Sequence, residues 1–286
     1  MVIIDFGGVS VGSILGQLHR GESLSNGLVK HVILNNLRSY RVKYPEEKYG
    51  RMVVACDSHS WRTDVYPEYK ALRRIKRETD SHDWNNLYDF INETIEDLKE
   101  NFPYAIIKID GAEADDIIGA LSIKAAEPIT GEPVVIISAD KDFIQLQSLG
   151  NVIQWSPMQQ KMVECDEGPE RYTFNHIMKG DSSDNVPNVL SPDNTFTEQI
   201  RQTPLRKKLI DDWWEKKDNL KEAMPEEAFR NYMRNREMID LNRMPEHIKT
   251  ESVEIFETYK YKERSNILPY LIENKMKMLI ENVGEF

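Results

Sequence analysis

Short apolar runs separated by stretches of helical periodicity recur through the first half of the chain. Val2 to Ile4, Met52 to Cys56, Ala105 to Ile109 and Val134 to Ile137 have the length and β-branched content of strands buried on both faces. Between them the apolar positions fall three and four apart. From Asp83 to Leu98 they are Trp84, Leu87, Tyr88, Ile91, Ile95 and Leu98, with Asp83 placed to cap a helix packed on the sheet. A further helix is expected over Ile117 to Ala126. Strands alternating with helices predict an α/β fold, a mostly parallel central sheet flanked by helices and joined by right-handed crossovers.

Beyond about residue 185 the strand pattern stops. Charged helical stretches take over at Leu205 to Ala223, Pro225 to Asp240, Glu246 to Tyr261 and Ile267 to Asn282. The expected organisation is an α/β domain over 1–185 and a smaller helical region over 186–286, with no low-complexity linker between them. Gly180 is followed by no other glycine until Gly284.

Composition is that of a folded globular protein, with 40% hydrophobic and 30% charged residues. No apolar run approaches a membrane span, and MVIIDFGG enters a strand at once without a basic leader, so a cytoplasmic protein with no membrane association is expected. Cys56 and Cys165 form no C-x-x-C pair and the six histidines are scattered, which gives zinc or disulfide frameworks no support. The net charge of −11 argues against nucleic-acid binding, unless the acids are gathered at a metal site.

The acids are gathered. Asp5 closes the first apolar run, Asp57 follows the second, Glu113, Asp115 and Asp116 follow the third, and Asp140 and Asp142 follow the fourth within VVIISADKDFIQL. Residues just past the carboxyl ends of parallel strands converge on one edge of a sheet. Each cluster alone reads as a turn or helix cap. Together they would repel one another severely without a compensating cation. All-oxygen ligands suit Mg²⁺ or Mn²⁺, with the surplus acids orienting bound water. KGDSSDNVP adds Asp181 and Asp184; as a calcium loop it fails, because Val186 and Pro192 stand where glycine and glutamate belong, and on spacing alone it could equally be an Asx turn. Two ions about 4 Å apart flanking a phosphate would serve phosphodiester hydrolysis. Neither a P-loop nor a dinucleotide fingerprint is present.

A basic stretch at about 58–82 follows Asp57. It carries Arg62, Lys70, Arg73, Arg74, Lys76 and Arg77 interleaved with Trp61, Tyr66 and Tyr69, the ingredients of single-strand recognition or of a solvated helix face. Taken with IIDF, CDS, YPEYKALR, EADDIIGAL, SADKDFIQL, VIQWSPM and KGDSSDNV, the chain resembles the flap endonuclease and 5′–3′ exonuclease superfamily, most closely the ribonuclease H branch of T-even bacteriophages. The resemblance spans essentially the whole chain.

By that resemblance Asp5, Asp57, Asp115 and Asp140 would serve a first Mg²⁺, with Glu113 and Asp116 as its outer shell, and Asp142, Asp181 and Asp184 a second. Lys70 and Arg73 match arch residues that contact the scissile phosphate, and Tyr69 matches an aromatic that stacks near the terminal nucleotide. Arg62, Arg74 and Arg77 would add phosphate contacts. The implied activity is removal of RNA primers and flaps, on RNA–DNA hybrids and duplex DNA with a free 5′ end, in the cytoplasm of an infected bacterium. Replication proteins such as single-strand binding protein or a sliding clamp are the expected partners. One departure stands out. Where most members carry a glycine-rich duplex-gripping hairpin, Val186 to Asn194 reads VPNVLSPDN, which leaves Arg201, Arg206, Lys207, Lys208, Lys216 and Lys217 as candidate substitutes. Two other readings stay open: a PIN-type ribonuclease acting on single strands, and a junction-binding protein without catalysis.

Overall fold

A computed structural model describes all residues except 81, 129 and 130, with the side chains of 74, 78 and 79 also left undescribed. Six strands form one sheet in the order β3-β2-β1-β4-β5-β6. The four expected strands are β1 (Val2–Asp5), β2 (Met52–Cys56), β3 (Ala105–Lys108) and β4 (Val134–Ile137), all parallel, with Val2 level with both Met52 and Val135. Two more were not anticipated. β5 (Val152–Ser156) continues the parallel set and β6 (Lys161–Met162) turns back antiparallel on it.

The sheet has two cores because side chains alternate across it. Ile3, Val53, Ala55, Ile107 and Ile136 face Ile117 and Leu121 of the helix Ala114–Ala125, and Trp213, Met238, Leu241 and Ile248 complete that side. Val2, Ile4, Val54, Ile106 and Ile137 face Ile14, Leu34, Leu37, Ile91 and Leu98, joined by Ile267, Leu271, Leu279 and Phe286. Residues after 185 thus share both cores of the sheet. Burying each such aliphatic side chain contributes roughly 1.5–3 kcal/mol, so the helical half and the sheet stabilise one another.

The helix expected from Asp83 runs Trp84–Asn101, with Asp83 accepting a hydrogen bond from the Asn86 N–H. Ala114–Ala125 starts three residues earlier than its apolar pattern suggested, because Glu113 and Asp116 form a capping box around its first turn. The later stretches break up more than expected. Leu205 to Ala223 becomes Lys207–Trp214 and Leu220–Ala223, and the last stretch becomes Ile267–Glu273 and Lys277–Ile280, parted where Lys275 takes φ +56°. No helix among the described residues is long and apolar enough to cross a membrane.

The chain moves outward from β1 through β2 to β3, then returns to the other side of β1 as β4. Strand order therefore reverses between β1 and β4. The carboxyl ends of those two strands flank the crevice where such sheets bind ligands.

Candidate active site

Asp5, Asp57 and Asp140 occupy that crevice. Asp5 ends β1 and caps the helix Phe6–Leu18, its Oδ1 accepting from the Gly8 N–H at 3.2 Å. Gly7 leaves the space that Asp57 fills, since a Cβ there would lie 2.3 Å from Asp57 Oδ2. Asp57 Oδ1 accepts from the Ala114 N–H at 3.0 Å, at the start of the next helix. Ser138 links the two sides of the crevice: its hydroxyl donates to Asp5 Oδ2 at 2.6 Å and accepts from the Asp140 N–H at 3.0 Å. Buried Gln154 of β5 fixes the same loop by donating to the carbonyls of Ser138 and Asp140. Burial, reinforced by the charges of Asp57 and Asp140, raises the Asp5 carboxyl to about 6 despite the hydrogen bonds from Ser138 and Gly8.

A second group lies beside it. Asp115, Asp142, Asp181 and Asp184 line a cavity of about 10 Å³, together with Arg62 and Tyr69. That is room for one water-sized particle. Burial and then the neighbouring charges of Asp140, Asp181 and Asp115 push Asp142 well above the usual carboxylate range. Asp115 is pushed up by burial and by Glu113, and Asp184 by burial against the pull of Lys70 and Arg73. Asp181 opens an Asx turn, accepting from the Ser183 N–H at 2.7 Å. Gly180 has φ +69°, and a Cβ there would meet the Val186 carbonyl at 2.2 Å, so only glycine fits the close approach that seats Asp181.

His176 completes this second group and was not among the residues singled out by sequence. Its Nδ1 lies 3.3 Å from Asp142 Oδ1 and its Nε2 3.8 Å from Asp181 Oδ2. One ligand atom from each of Asp142, His176 and Asp181 falls within 4.8 Å of the others. Burial lowers the imidazole below its ordinary value against the pull of Asp181. The available signal was its place in the last turn of the helix Pro169–Lys179, just ahead of GDSSD. Ser138 likewise stood inside a quoted motif without a role.

The basic stretch divides into inward and outward residues. Arg62 is 1% exposed. Its guanidinium donates to Glu113 Oε2 at 3.0 Å, to Asp116 Oδ1 at 2.8 Å and Oδ2 at 3.0 Å, and to the Met238 carbonyl at 2.9 Å. The expectation of a substrate contact at Arg62 is therefore corrected: two buried carboxylates claim it. Tyr69 is corrected for the same reason. It is 2% exposed, and its hydroxyl donates to Glu113 Oε2 at 2.9 Å and Asp184 Oδ2 at 3.2 Å, so its ring faces the interior and offers no stacking surface. Glu113 also accepts from Ser60 at 2.8 Å. Burial opposes its charge, yet Lys70 and Arg62 outweigh burial and hold its carboxyl down at about 2. Asp116, fully buried, also accepts from the Trp61 indole N–H at 3.2 Å. Both acids are satisfied by protein groups and sit behind the open carboxylates.

Lys70 and Arg73 lie at the rim. Lys70, in a left-handed conformation at φ +54°, reaches Glu113 Oε1 at 2.5 Å and Asp184 Oδ2 at 3.6 Å. Burial works against its ammonium, but Asp184 and Glu113 raise its pKa overall. Arg73 is 44% exposed at the side chain, 2.6 Å from Asp184 Oδ1, and donates to the Ser183 carbonyl. The arch is thus tied to the GDSSD loop at two neighbouring residues. Arg77 is exposed on the helix Ala71–Thr79, its guanidinium 5.4 Å from the Tyr88 ring. The side chain of Arg74 lies outside the described residues. Arg201, Arg206, Lys207, Lys208, Lys216 and Lys217 are all exposed, and Lys217 also lies 4.3 Å from the Trp214 ring and 3.6 Å from Glu170.

Comparison with known proteins decides between relatives of this architecture. The profile of the 5′-3′ exonuclease N-terminal resolvase-like domain matches residues 19–173, and that of the T4 RNase H C-terminal domain matches 168–286. Ribonuclease H of enterobacteria phage T4 is 31% identical over 291 residues, covering 99% of this chain and 95% of that protein. The chain belongs to the 5′–3′ exonuclease family. It is a nuclease, and its resemblance to the phage ribonuclease H branch is upheld over its full length. Flap endonuclease Xni of Shewanella baltica is 30% identical over 59% of the chain and 62% of its own length. Among solved structures, the T5 D15 protein co-crystallised with metal ions superposes with a TM-score of 0.62 at 16% identity, covering 91% of this chain and 99% of that one. T5 5′-exonuclease with bound zinc gives 0.60 at 17% identity over 91% and 99% of the two chains. These neighbours share the fold, and the T5 5′ nucleases confirm the α/β class expected from the apolar pattern.

Proposed function

We propose that this nuclease is a Mg²⁺-dependent, structure-specific 5′–3′ enzyme that hydrolyses RNA–DNA hybrids, duplex DNA and 5′ flaps, removing RNA primers during phage DNA replication. The observation that carries this reading is the unbalanced set of open carboxylates on the crevice. Asp5, Asp115, Asp142 and Asp184 are all raised above their ordinary values by burial and, in most cases, by one another. Such a set fits a cation, since oxygen ligands at this density suit Mg²⁺ and Mn²⁺. Phage T4 ribonuclease H supports the substrate class, and a T5 D15 flap endonuclease complex contains DNA and metal ions.

In this reading Asp5, Asp57 and Asp140 hold one ion and Asp142, Asp181 and Asp184 a second, with Asp115 between their roles and Glu113 and Asp116 behind them. Bound ions would supply an activated water and charge stabilisation for in-line displacement at phosphorus. Ser138 holds the Asp5 carboxylate in one orientation and couples it to the Asp140 backbone. Lys70 and Arg73 rest on Asp184 and Glu113, close enough to exchange those partners for a phosphate as charge develops on it. Arg77 and the exposed residues Arg201, Arg206, Lys207 and Lys208 would hold the backbone of the substrate, which gives recognition by shape rather than by base. Acting at replication forks, the enzyme would meet single-strand binding protein and a sliding clamp.

Asp140→Asn tests the assignment. It should abolish cleavage of a 5′-flap while leaving flap binding within a few fold of the parent. Full activity in this variant removes Asp140 from the cation site.

A further inference from the structure

Resting on the reading that the acids hold divalent cations, we propose that His176 is a nitrogen ligand of the second ion, bound together with Asp142 and Asp181, so that the two cation sites differ in chemistry. The crevice group at Asp5, Asp57 and Asp140 offers oxygen alone. The second group places an imidazole between two carboxylates, with Nδ1 3.3 Å from Asp142 Oδ1 and Nε2 3.8 Å from Asp181 Oδ2.

Three separate features converge there. One ligand atom from each residue already lies within 4.8 Å of the others, so a small inward shift brings all three to the donor spacing of about 3–4 Å set by metal–ligand distances near 2.1 Å. A neighbouring cavity of about 10 Å³, lined by Asp115, Asp142, Asp181 and Asp184, shares Asp142 and Asp181 with this trio and has room for a single particle of water size. The third feature is rigidity. His176 sits in the last turn of a regular helix, and Asp181 is fixed by the Gly180 approach to Val186 and by its own Asx turn. Among the described residues the ring nitrogens of His176 face Asp142 and Asp181, while the Tyr172 ring packs edge-on against the imidazole at 6.1 Å between centroids.

An imidazole changes ion preference. Carboxylate and water suit Mg²⁺, whereas a nitrogen donor favours later first-row metals and makes Mn²⁺ bind better than Mg²⁺. The second site should therefore select Mn²⁺ or a later metal over Mg²⁺ more strongly than the first, and His176 sets that difference.

The test uses the full-length protein loaded with Mn²⁺ in the absence of nucleic acid. Pulsed electron paramagnetic resonance should show ¹⁴N modulation from a directly bound imidazole, and His176→Gln should lose it. Calorimetry should show two Mn²⁺ ions in the parent, with one of the two losing at least about 10-fold in affinity in His176→Gln, the lower end of what loss of a group that merely orients a ligand costs. Mg²⁺ affinity should change less. Two bound Mn²⁺ ions with no ¹⁴N modulation in the parent would overturn the inference while leaving the cation reading intact, and so would modulation that persists in His176→Gln. Failure to bind Mn²⁺ at all would overturn both. The parent spectrum alone is decisive, so the outcome does not depend on the variant folding.

Discussion

Arg62 provides the sharpest separation between a substrate contact and an internal counterion. Arg62→Met keeps much of the apolar stem and removes the guanidinium. In the parent, Glu113 has other donors, from Lys70, Tyr69 and Ser60, and Asp116 Oδ2 has the Trp61 indole and the Glu113 N–H. Among the described residues Asp116 Oδ1 accepts from Arg62 alone, in a side chain that is fully buried. The substitution thus strands one carboxylate oxygen and the net charge of two buried acids. Breaking a buried ion pair from one side costs about 3–5 kcal/mol. The alternative donors place this case toward the lower end, about 3 kcal/mol, a large fraction of a typical folding free energy. Urea denaturation in EDTA, followed by circular dichroism, should show that loss as a lower midpoint at unchanged slope. Adding Asp116→Asn should recover part of it, so that the double variant is more stable than the sum of the singles predicts. An Arg62→Met protein as stable as the parent within 0.5 kcal/mol, with a raised KM for nucleic acid, would refute the internal role and restore Arg62 to the substrate surface.

Two further outcomes follow from the same electrostatics. The Asp5 carboxyl is raised from 3.8 to about 6 in the fold, so the folded state binds more protons than the unfolded state between those values. Stability in EDTA should therefore fall as pH rises from about 4.5 to 6.5, and saturating Mg²⁺ should flatten the decline; the raised Asp115, Asp142 and Asp184 add to it, His176, lowered from its ordinary 6.5, opposes it in the upper part of the window, and Glu113, lowered to about 2, acts below its ordinary 4.5. A thermal melt series that stays flat in EDTA would contradict the crowding of the open acids. Lys70→Ala should slow single-turnover cleavage by at least tenfold while weakening binding by much less, whereas equal losses in both would make Lys70 a tether.

The parts of the fold that could be read from sequence are those where one physical signal dominates. β1, β2, β3 and β4 are apolar runs buried on both sides, and Asp83 caps its helix as its side chain dictates. β5 was missed because Gln154 interrupts its apolar run; that amide is buried to hold the Asp140 loop, a tertiary purpose with no local signature. The acids were legible because they recur after strand after strand. Their division was less so: Asp115 lines the cavity shared by Asp142, Asp181 and Asp184 rather than the Asp5 crevice. The orientation of Arg62 and Tyr69 was hidden altogether. A basic, aromatic stretch looks alike whether it faces phosphate or a buried pair of carboxylates, and only the packing of Glu113 and Asp116 decides. His176 was hidden because a single histidine in a helical pattern has no spacing to mark it.

The most direct measurement is a Mg²⁺ titration of cleavage on an RNA–DNA hybrid, a 5′-flap and single-stranded RNA, each labelled so that product length is resolved. No cleavage is expected in EDTA, then with Mg²⁺ saturable cutting that releases short products from the 5′ end of the hybrid and cuts near the flap junction. Binding without cleavage in Mg²⁺ or Mn²⁺, or internal cuts confined to single-stranded RNA, would contradict that expectation.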